Sequence, residues 1–261
     1  MRKTFEKCGY LGNKIEIEKH FKICAIKNYK CLFCNKYIIN MNLENHVKNE
    51  CKFKTIKYPN DDIYIGEKNN NIKEGYGIIY YSDGDKYEGE FKNGLRDGYG
   101  IIYYSNGDKY EGEFKNGLRD GYGIIYYSNR DKYEGEFKNN LKEGYGINYF
   151  SNDKYKGEWK NGVMHGYGIY IFSERDIYTG EWKNNNFDGF GIYYCSSGER
   201  YQGEWKNDKK EGYGIYYFSP NEMYQGEWKN NKKNGFGIYK YSHGRKYEGE
   251  WNWNFFKWRY I

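Results

Sequence analysis

The chain has 261 residues and a net charge of +6, and aromatic residues make up 21% of it although its mean hydropathy is −1.11. Aromatic residues dispersed among charged ones do not predict a compact aliphatic core. The few apolar runs are far too short to cross a bilayer as a helix. Because the polar first residues do not resemble a secretory signal, we expect a soluble, cytoplasmic protein.

The basic character is confined to the beginning of the chain. Residues 1–60 contain 13 Lys and Arg against 5 Asp and Glu, a charge of +8, so the remaining residues carry a net charge of −2. A near-neutral remainder argues against electrostatic binding of nucleic acid. The lysines of the first segment are either solvated surface groups or contacts to phosphate, and we prefer the first interpretation.

Four potential metal ligands lie within residues 31–51. The pattern Cys31-x2-Cys34-x11-His46-x4-Cys51 has the number and the types of ligand of a tetrahedral structural zinc site. The residues around His46 are typical of a short helix that presents this side chain. A segment this small buries too little surface to fold without help, so we expect it to hold a structural Zn²⁺.

An incomplete copy of the same pattern precedes this one. Cys8-x11-His20-x3-Cys24 repeats the interval between Cys and His, but Phe5 stands where the first Cys would be. Either these three ligands hold a second Zn²⁺, or the two cysteines are ordinary buried thiols. A disulfide is not expected in a chain without a secretory signal.

Residues 5–51 therefore resemble a tandem of TRAF-type zinc fingers with a degenerate first unit. The resemblance implies a small α+β zinc-finger segment over residues 1–53 that serves as a docking module for other proteins. Residues 54–63 are assigned to a linker.

The chain is repetitive from Tyr64 onward. The tetrapeptide Tyr-x-Gly-Glu recurs every 23 residues, with one interval of 22, and eight of its nine copies are followed by Gly-aromatic-Gly. The copies begin at Tyr64, Tyr87, Tyr110, Tyr133, Tyr155, Tyr178, Tyr201, Tyr224 and Tyr247. These two motifs contain 25 of the 34 glycines, so the glycine belongs to a repeated structure rather than to a flexible linker.

Each copy predicts a β-hairpin. In residues 87–91 the first, third and fifth side chains share one face of a strand and the two Glu share the other. A turn signal at residues 92–94 leads into a second strand over residues 98–104, and residues 105–108 form the next turn. Glycine within a strand permits close approach of another group, so we expect a large ring to lie flat across a neighbouring glycine.

This pattern resembles the MORN family (membrane occupation and recognition nexus), whose unit is Tyr-x-Gly-Glu-Trp followed by Gly-x-Gly. The resemblance covers residues 64–261, with eight full repeats and a partial ninth. It departs from the pattern at Phe91, Phe114 and Phe137, where Phe replaces Trp, and in the first copy, which has Lys68. It implies an all-β fold, an extended array of antiparallel β-hairpins in the form of a solenoid or a single-layer meander.

The end of the chain is aromatic. It contains Trp253, Phe255, Phe256, Trp258 and Tyr260. These rings either cap the last edge of the sheet, as terminal repeats require, or form an edge for dimerisation or docking.

No residue set predicts catalysis. Glu88 and Glu90 have the form of an acid–base pair, but a catalytic pair is not needed in nine successive copies. Gly-Tyr-Gly lies inside a predicted strand, with no Gly-Lys-Ser/Thr after it, so it is not a phosphate loop. His165, His243 and Cys195 are interpreted as surface, turn and packing residues. We do not expect an enzyme.

The leading hypothesis is a non-catalytic intracellular scaffold or adaptor whose array and zinc fingers bind protein partners. The MORN resemblance implies a location in the cilium or axoneme or in the cortical cytoskeleton, with self-association as a further possibility. The alternative is an adaptor that binds membrane phosphoinositides and links the membrane to the cytoskeleton, although near-neutral repeats attract anionic lipid weakly. Nucleic acid is not expected as a partner.

Overall fold

The computed structural model describes residues 54–252 and three further two-residue strands, and it divides into two compact units, residues 1–105 and residues 106–261. Throughout the described part, strands alternate with turns and there is no helix. No described helix is therefore long and apolar enough to cross a membrane.

The first unit contains an isolated two-stranded sheet and a five-stranded meander. The strands are β1 (Tyr29–Lys30), β2 (Tyr37–Ile38), β3 (Lys54–Lys57), β4 (Ile63–Asn69), β5 (Ile72–Tyr80), β6 (Lys86–Lys92) and β7 (Leu95–Tyr103). Strand β1 pairs with β2, and each strand from β3 to β7 pairs antiparallel with the next strand in the sequence.

The second unit continues the same order of strands. They are β8 (Lys109–Lys115), β9 (Leu118–Tyr126), β10 (Lys132–Lys138), β11 (Leu141–Phe150), β12 (Asp153–Lys160), β13 (Val163–Ile171), β14 (Ile177–Lys183), β15 (Asn186–Tyr194), β16 (Arg200–Lys206), β17 (Lys209–Ser219), β18 (Glu222–Lys229), β19 (Lys232–Lys240), β20 (Lys246–Asn252) and β21 (Phe255–Phe256). Every strand pairs antiparallel with its sequence neighbour, as in a meander built of hairpins.

The turn inside each repeat fits the handedness of a tight hairpin. Asn93 and Gly94 have φ angles of +50° and +83°, and Asn161 and Gly162 repeat these values closely at +50° and +84°. Positive φ at both central residues defines the type I′ turn, whose twist matches that of the flanking strands and which favours Asn-Gly. The turn residues of the sequence therefore determine where each hairpin folds back.

A β-bulge interrupts the pairing between the two strands of each full repeat. Between β16 and β17 the register shifts between Gly203 and Trp205, which leaves Glu204 without a backbone partner on that side. Opposite the bulge, Gly212 adopts a φ of +63°, a value that favours glycine. Pairing of β17 with β18 on the other side is regular through this region.

The two faces of the sheet differ because side chains alternate along each strand. In β6, Tyr87, Gly89 and Phe91 are buried, whereas Glu88 is partly exposed and Glu90 is exposed. We call the buried side the ring face, and it carries the first residue of every Tyr-x-Gly-Glu motif and the Phe or Trp four residues later. Its buried rings are Tyr64, Tyr87, Phe91, Tyr110, Phe114, Tyr133, Phe137, Tyr155, Trp159, Tyr178, Trp182, Tyr201, Trp205, Tyr224, Trp228, Tyr247 and Trp251.

The all-β class and the antiparallel hairpin meander are confirmed in each unit. The meander begins earlier than the repeats, because β3 lies within residues 54–63, the stretch assigned to a linker, and pairs with β4. At the other end, β21 pairs with the last two residues of β20, and the remaining terminal rings lie outside the described residues. The predicted α+β zinc segment also lies outside them, apart from β1 and β2.

Replacement of Gly203 by Ala should destabilise the second unit. A Cβ at this position would lie 2.5 Å from the Cα of Gly214 and 2.6 Å from the hydroxyl oxygen of Tyr201, and the backbone contact cannot be relieved by a rotamer change. Overpacking of this kind costs about 3 kcal/mol, so the midpoint of denaturant unfolding should fall clearly. The matched control is Gly198→Arg, because Arg130 and Arg175 already occupy the same turn position with positive φ. A Gly203→Ala protein as stable as this control would contradict the close approach.

Candidate functional site

The ring face contains a ladder of edge-to-face aromatic contacts. Tyr133 meets Phe137 of its own strand at a centroid distance of 5.1 Å and Trp159 of the next repeat at 5.2 Å, with interplanar angles of 88° and 83°. The same alternation runs through the second unit from Tyr110 to Trp251. Such contacts contribute roughly 0.5–1.5 kcal/mol each beyond their buried area. Each repeat therefore stabilises the neighbouring repeat through these ring contacts.

In the eight full repeats, the motif tyrosine lies across a pair of glycines. A Cβ on Gly203 or on its partner Gly214 would come within 2.6 Å of the Tyr201 hydroxyl oxygen, so the ring covers both residues. Its hydroxyl donates a hydrogen bond of 3.0 Å to the backbone carbonyl of Glu204. The equivalent bond is present in all nine copies, so the buried polar atom is satisfied each time.

The motif glutamate stabilises the bulge. One carboxylate oxygen of Glu204 accepts the backbone N–H of Tyr213 at 2.9 Å, a group that the register shift removes from the ladder of strand hydrogen bonds. Five other repeats show the same contact, at 2.8–3.3 Å. This role is structural, in agreement with the interpretation of the recurrent Glu as non-catalytic.

The later repeats differ from the earlier ones on the ring face. Trp replaces Phe at the fifth motif position from Trp159 onward, and each of these indoles donates its N–H to a glycine carbonyl of the preceding repeat at 3.2–3.3 Å. In the second strand, the Ile of the early repeats gives way to Tyr170, Tyr193, Tyr216 and Tyr239. The later part of the ring face therefore presents larger rings with polar ends.

These four tyrosines donate to a row of carboxylates. Tyr216 donates to Glu199 at 2.8 Å, and Tyr239 donates to Glu222. Burial, followed by the hydrogen bond to the carboxylate, raises the pKa of Tyr216 well above its usual range. Tyr170 and Tyr193 make equivalent bonds to Asp153 and Asp176.

Cations cover the rings at one recurrent position, two residues before the first glycine of Gly-aromatic-Gly. Lys210 lies 4.3 Å from the ring centroid of Tyr216, and Lys233 lies 4.3 Å from that of Tyr239. Burial lowers the pKa of both ammonium groups, that of Lys233 to about 8. Attraction to a ring face offsets part of the loss of hydration.

A groove of about 420 Å³ opens on the ring face between these two lysines. Its walls are ring surfaces and its polar groups are ammonium and amide groups. The lining residues are Lys210, Tyr216, Phe218, Trp228, Asn231, Lys232, Lys233 and Trp251. A concave surface on which polar groups converge beside rings is a candidate recognition site.

The opposite face carries half-exposed rings. The central aromatic residue of each Gly-aromatic-Gly motif is 44–55% exposed, and these residues are Tyr76, Tyr99, Tyr122, Tyr145, Tyr167, Phe190, Tyr213 and Phe236. Charged pairs such as Lys132 with Glu134, at 2.7 Å, lie among them. This face is a mixed surface of rings and ion pairs without a described pocket.

The repeat geometry matches a known family. The family model of the MORN repeat matches residues 64–86, 87–109, 110–132, 133–153, 155–176, 178–200, 201–223 and 224–244, more than half of the chain. The chain belongs to the MORN repeat family. No curated protein sequence matches it.

Solved structures share only coarse similarity with the MORN array. The TCP10 domain of Danio rerio CPAP, in complex with a peptide of Danio rerio STIL, is 10% identical with a TM-score of 0.44, and the match covers 76% of this chain and 94% of that one. The TCP domain of Drosophila melanogaster SAS-4, in complex with a proline-rich motif of Ana2, is 12% identical with a TM-score of 0.33, covering 77% and 90%. TM-scores below 0.5 do not establish a shared fold.

The predicted metal ligands all lie outside the described residues. They are Cys31, Cys34, His46 and Cys51 of the complete set and Cys8, His20 and Cys24 of the incomplete one. Within the described part of the chain, no group of three or more His, Cys, Asp or Glu side chains is arranged to hold a metal ion.

The structure adds detail to the interpretations of Cys195 and His165. Cys195 is a free, partly buried cysteine at the beginning of the turn just after β15, where its N–H donates to the backbone carbonyl of Glu199. His165 is only partly exposed, and its Nδ1 is buried without a hydrogen-bond partner, although a surface position was expected. At the same repeat position, Asp188 and Glu211 accept a backbone N–H from the next hairpin turn.

The groove was not predicted from the sequence. Its signal lies in the differences between copies, because Tyr216 and Trp228 stand where the early repeats have Ile and Phe, next to a position that holds a cation in six of the eight full repeats. A comparison of copies position by position identifies such substitutions, whereas the consensus pattern averages them out.

Replacement of Glu204 by Ala should destabilise the second unit by about 1–2 kcal/mol, because the N–H of Tyr213 at the bulge loses a charged acceptor. Gln202→Ala is the control on the same face of the same strand and should change stability by less than about 0.5 kcal/mol. Equal effects of the two substitutions on denaturant unfolding would show that the carboxylate does not stabilise the bulge.

Stability should fall steeply above pH 10 or thereabouts, the ordinary pKa of tyrosine. Burial is the main cause that raises the pKa of the motif tyrosines, and nearby Glu carboxylates raise it further, at Tyr64, Tyr87, Tyr133, Tyr155, Tyr178, Tyr201 and Tyr224. A pKa raised by folding stabilises the protein fully below the unfolded-state pKa, and this contribution is lost as pH rises.

The buried lysines have the opposite effect on stability as pH rises, but there are fewer of them than of buried tyrosines. Burial lowers the pKa of Lys142 and of Lys233 to about 8, so their loss of charge between pH 8 and the unfolded-state pKa favours the folded protein. Tyrosinate absorbance and circular dichroism, followed together in an alkaline titration, should change in one cooperative step. Ionisation of the motif tyrosines with the sheet intact would contradict this prediction.

Proposed function

We propose that this MORN protein is a non-catalytic scaffold or adaptor that binds protein partners through the ring face of its second unit. The observation that carries the proposal is the groove between Lys210 and Lys233, whose lining combines aromatic rings with ammonium groups. Tyr and Trp are enriched at protein interfaces because they bury large areas at low entropic cost.

The rigidity of the groove supports this role. Trp228 is 6% exposed, is held by the bond from its indole N–H to the carbonyl of Gly214, and meets Tyr201 and Tyr224 edge to face. A surface whose rings are fixed before binding loses little conformational freedom on association. Recognition by a preformed face suits a scaffold that holds its partners.

The N-terminal segment is proposed as a separate docking module. Its Cys and His residues have the spacing of structural zinc sites, and a Zn²⁺ held by Cys31, Cys34, His46 and Cys51 would stabilise a segment too small to fold unaided. Binding of partners by both modules fits a location in the cilium, the axoneme or the cortical cytoskeleton.

A membrane adaptor is the second candidate, and the lysines of the groove favour it. Lys210, Lys232 and Lys233 are a local concentration of positive charge in a near-neutral array. Anionic membranes, however, attract clusters of exposed Lys and Arg, whereas Lys210 and Lys233 are partly buried against rings. We therefore favour protein partners.

Fractionation of cells that express the tagged protein tests the choice. Wild-type protein should remain in the detergent-insoluble cytoskeletal pellet. The variant Phe218→Cys/Lys233→Met should move to the soluble fraction, because it removes one wall and one cation of the groove. Both new residues already occupy the same repeat positions, as Cys195 and Met164, so the fold should tolerate them.

The control substitution Tyr213→Ser removes a half-exposed ring from the opposite face and should leave the protein in the pellet. Release of wild-type protein by detergent from a membrane fraction would favour the lipid adaptor instead. Loss from the pellet with Tyr213→Ser alone would move the binding site to the opposite face.

A further inference from the structure

We infer that the groove between Lys210 and Lys233 binds an extended acidic peptide segment of a partner protein, with a separate carboxylate of the peptide bonded to each of the two ammonium groups, which lie one repeat, about 10 Å, apart. The inference rests on the proposed function and adds the chemistry of the partner. Its basis is that aromatic rings line the groove together with the ammonium groups of Lys210 and Lys233, which form no salt bridge in residues 54–252.

The ammonium groups of Lys210 and Lys233 lie among rings rather than among acceptors. Lys210 is within 5.2 Å of the ring centroids of Tyr201, Tyr216 and Trp228. Lys233 is within 5.1 Å of four centroids, those of Phe218, Tyr224, Tyr239 and Trp251. In residues 54–252 neither ammonium group has a hydrogen-bond acceptor or a salt bridge.

Two cations at the same repeat position are satisfied by the protein itself. Lys142 lies over Tyr133 at 4.5 Å and Trp159 at 4.7 Å, but it also donates to the side-chain oxygen of Asn148 at 2.6 Å. Arg119 donates to the backbone carbonyl of Asn140 at 2.9 Å. An aromatic setting therefore does not prevent the repeat from supplying an acceptor, and the later repeats do not supply one.

The lysines are not required by the fold. Met164 and Phe187 occupy the same position in the two repeats before Lys210, and Phe187 stacks on Tyr178 at 3.7 Å. An apolar residue thus fills this place without loss of hydration, whereas a partly buried ammonium group without an acceptor costs free energy. Six of the eight full repeats carry Lys or Arg at this position, and at the groove a ligand provides the acceptor that Lys210 and Lys233 do not find in the described part of the protein.

The nearest carboxylates do not fulfil this role. Glu199 and Glu222 are close enough to raise the pKa of Lys210 and Lys233 respectively, against the larger lowering by burial. Both carboxylates accept hydrogen bonds from Tyr216 and Tyr239 instead. The groove therefore keeps ammonium donors that an added carboxylate can accept from at short range.

A peptide fits the remaining features of the groove. Phe218 and the exposed edges of Trp228 and Trp251 form the apolar part of the lining, which contacts the apolar side chains that flank the acidic residues. A nucleic acid or a lipid headgroup instead demands several exposed cations that track phosphates. Two carboxylates on one extended peptide need only the two lysines.

Selection from a display library of random peptides on the immobilised full-length protein tests this inference. Three proteins are compared: wild type, Lys210→Met/Lys233→Met and the matched control Lys142→Met. Wild-type protein should enrich peptides in which Asp or Glu stands between apolar residues. Binding of the best peptide should weaken at least about tenfold in the double variant, as expected when one side of a desolvated charge pair is removed. It should be unchanged in Lys142→Met and should also weaken when Gln replaces the acidic residue.

The remaining outcomes overturn the inference in distinguishable ways. The enriched peptides could contain no acidic residues and yet fail to bind the Phe218→Cys variant. This result would refute the acidic partner but would leave the proposal that the groove binds a protein intact. The absence of any enriched peptide would refute the peptide site. Binding of the protein to vesicles of phosphatidylcholine with phosphatidylinositol bisphosphate, lost in the double variant and kept in Lys142→Met, would assign the lysines to a membrane.

Discussion

The close approach of two glycines beneath a tyrosine ring is the contact on which the array depends. At the Gly203–Gly214 pair, a methyl group on either residue would overlap the ring or the opposite backbone. With both Cβ atoms absent, Tyr201 lies flat on the sheet and its hydroxyl reaches the carbonyl of Glu204. A sheet of one layer thus acquires buried rings without a second layer to cover them, which compensates for the weakness of isolated hairpins.

The other conserved features of the repeat follow from this contact. The bulge after Gly203 lets Trp205 turn its edge toward the Tyr201 ring, at 5.0 Å. The bulge also removes one N–H from the ladder, and the carboxylate of Glu204 accepts it. Each fixed residue of Tyr-x-Gly-Glu-Trp therefore has a defined physical task, and none of these tasks requires a ligand.

The sequence was sufficient to predict everything that depends on period and on local chemistry. Alternation along residues 87–91 predicts which side chains share a face, and Asn93-Gly94 predicts the hairpin turn with its positive φ angles. The sequence also predicts that a ring covers a glycine, because glycine inside a strand requires such a neighbour.

The rest depends on contacts between residues of different copies. Strand β3 was assigned to a linker because residues 54–57 carry no repeat motif, yet the free edge of β4 offers unpaired backbone groups and captures them. The groove arises where the long side chains of Tyr216 and Trp228 replace the Ile and Phe of the early repeats. The consensus pattern of the repeat treats these replacements as equivalent, although they change the shape of the protein surface.

Function in such an array is expected where the repeat is not uniform. Positions fixed by the glycine contact cannot vary without loss of the fold, so recognition has to use positions that tolerate exchange, such as the one shared by Lys142, Met164, Phe187 and Lys210. A net charge near zero over the repeats does not prevent electrostatic recognition there, because charges on the surface act over only about 8–10 Å at physiological salt. A pair of partly dehydrated lysines is screened less than exposed ones, and their local field rather than the total charge determines which partner is preferred.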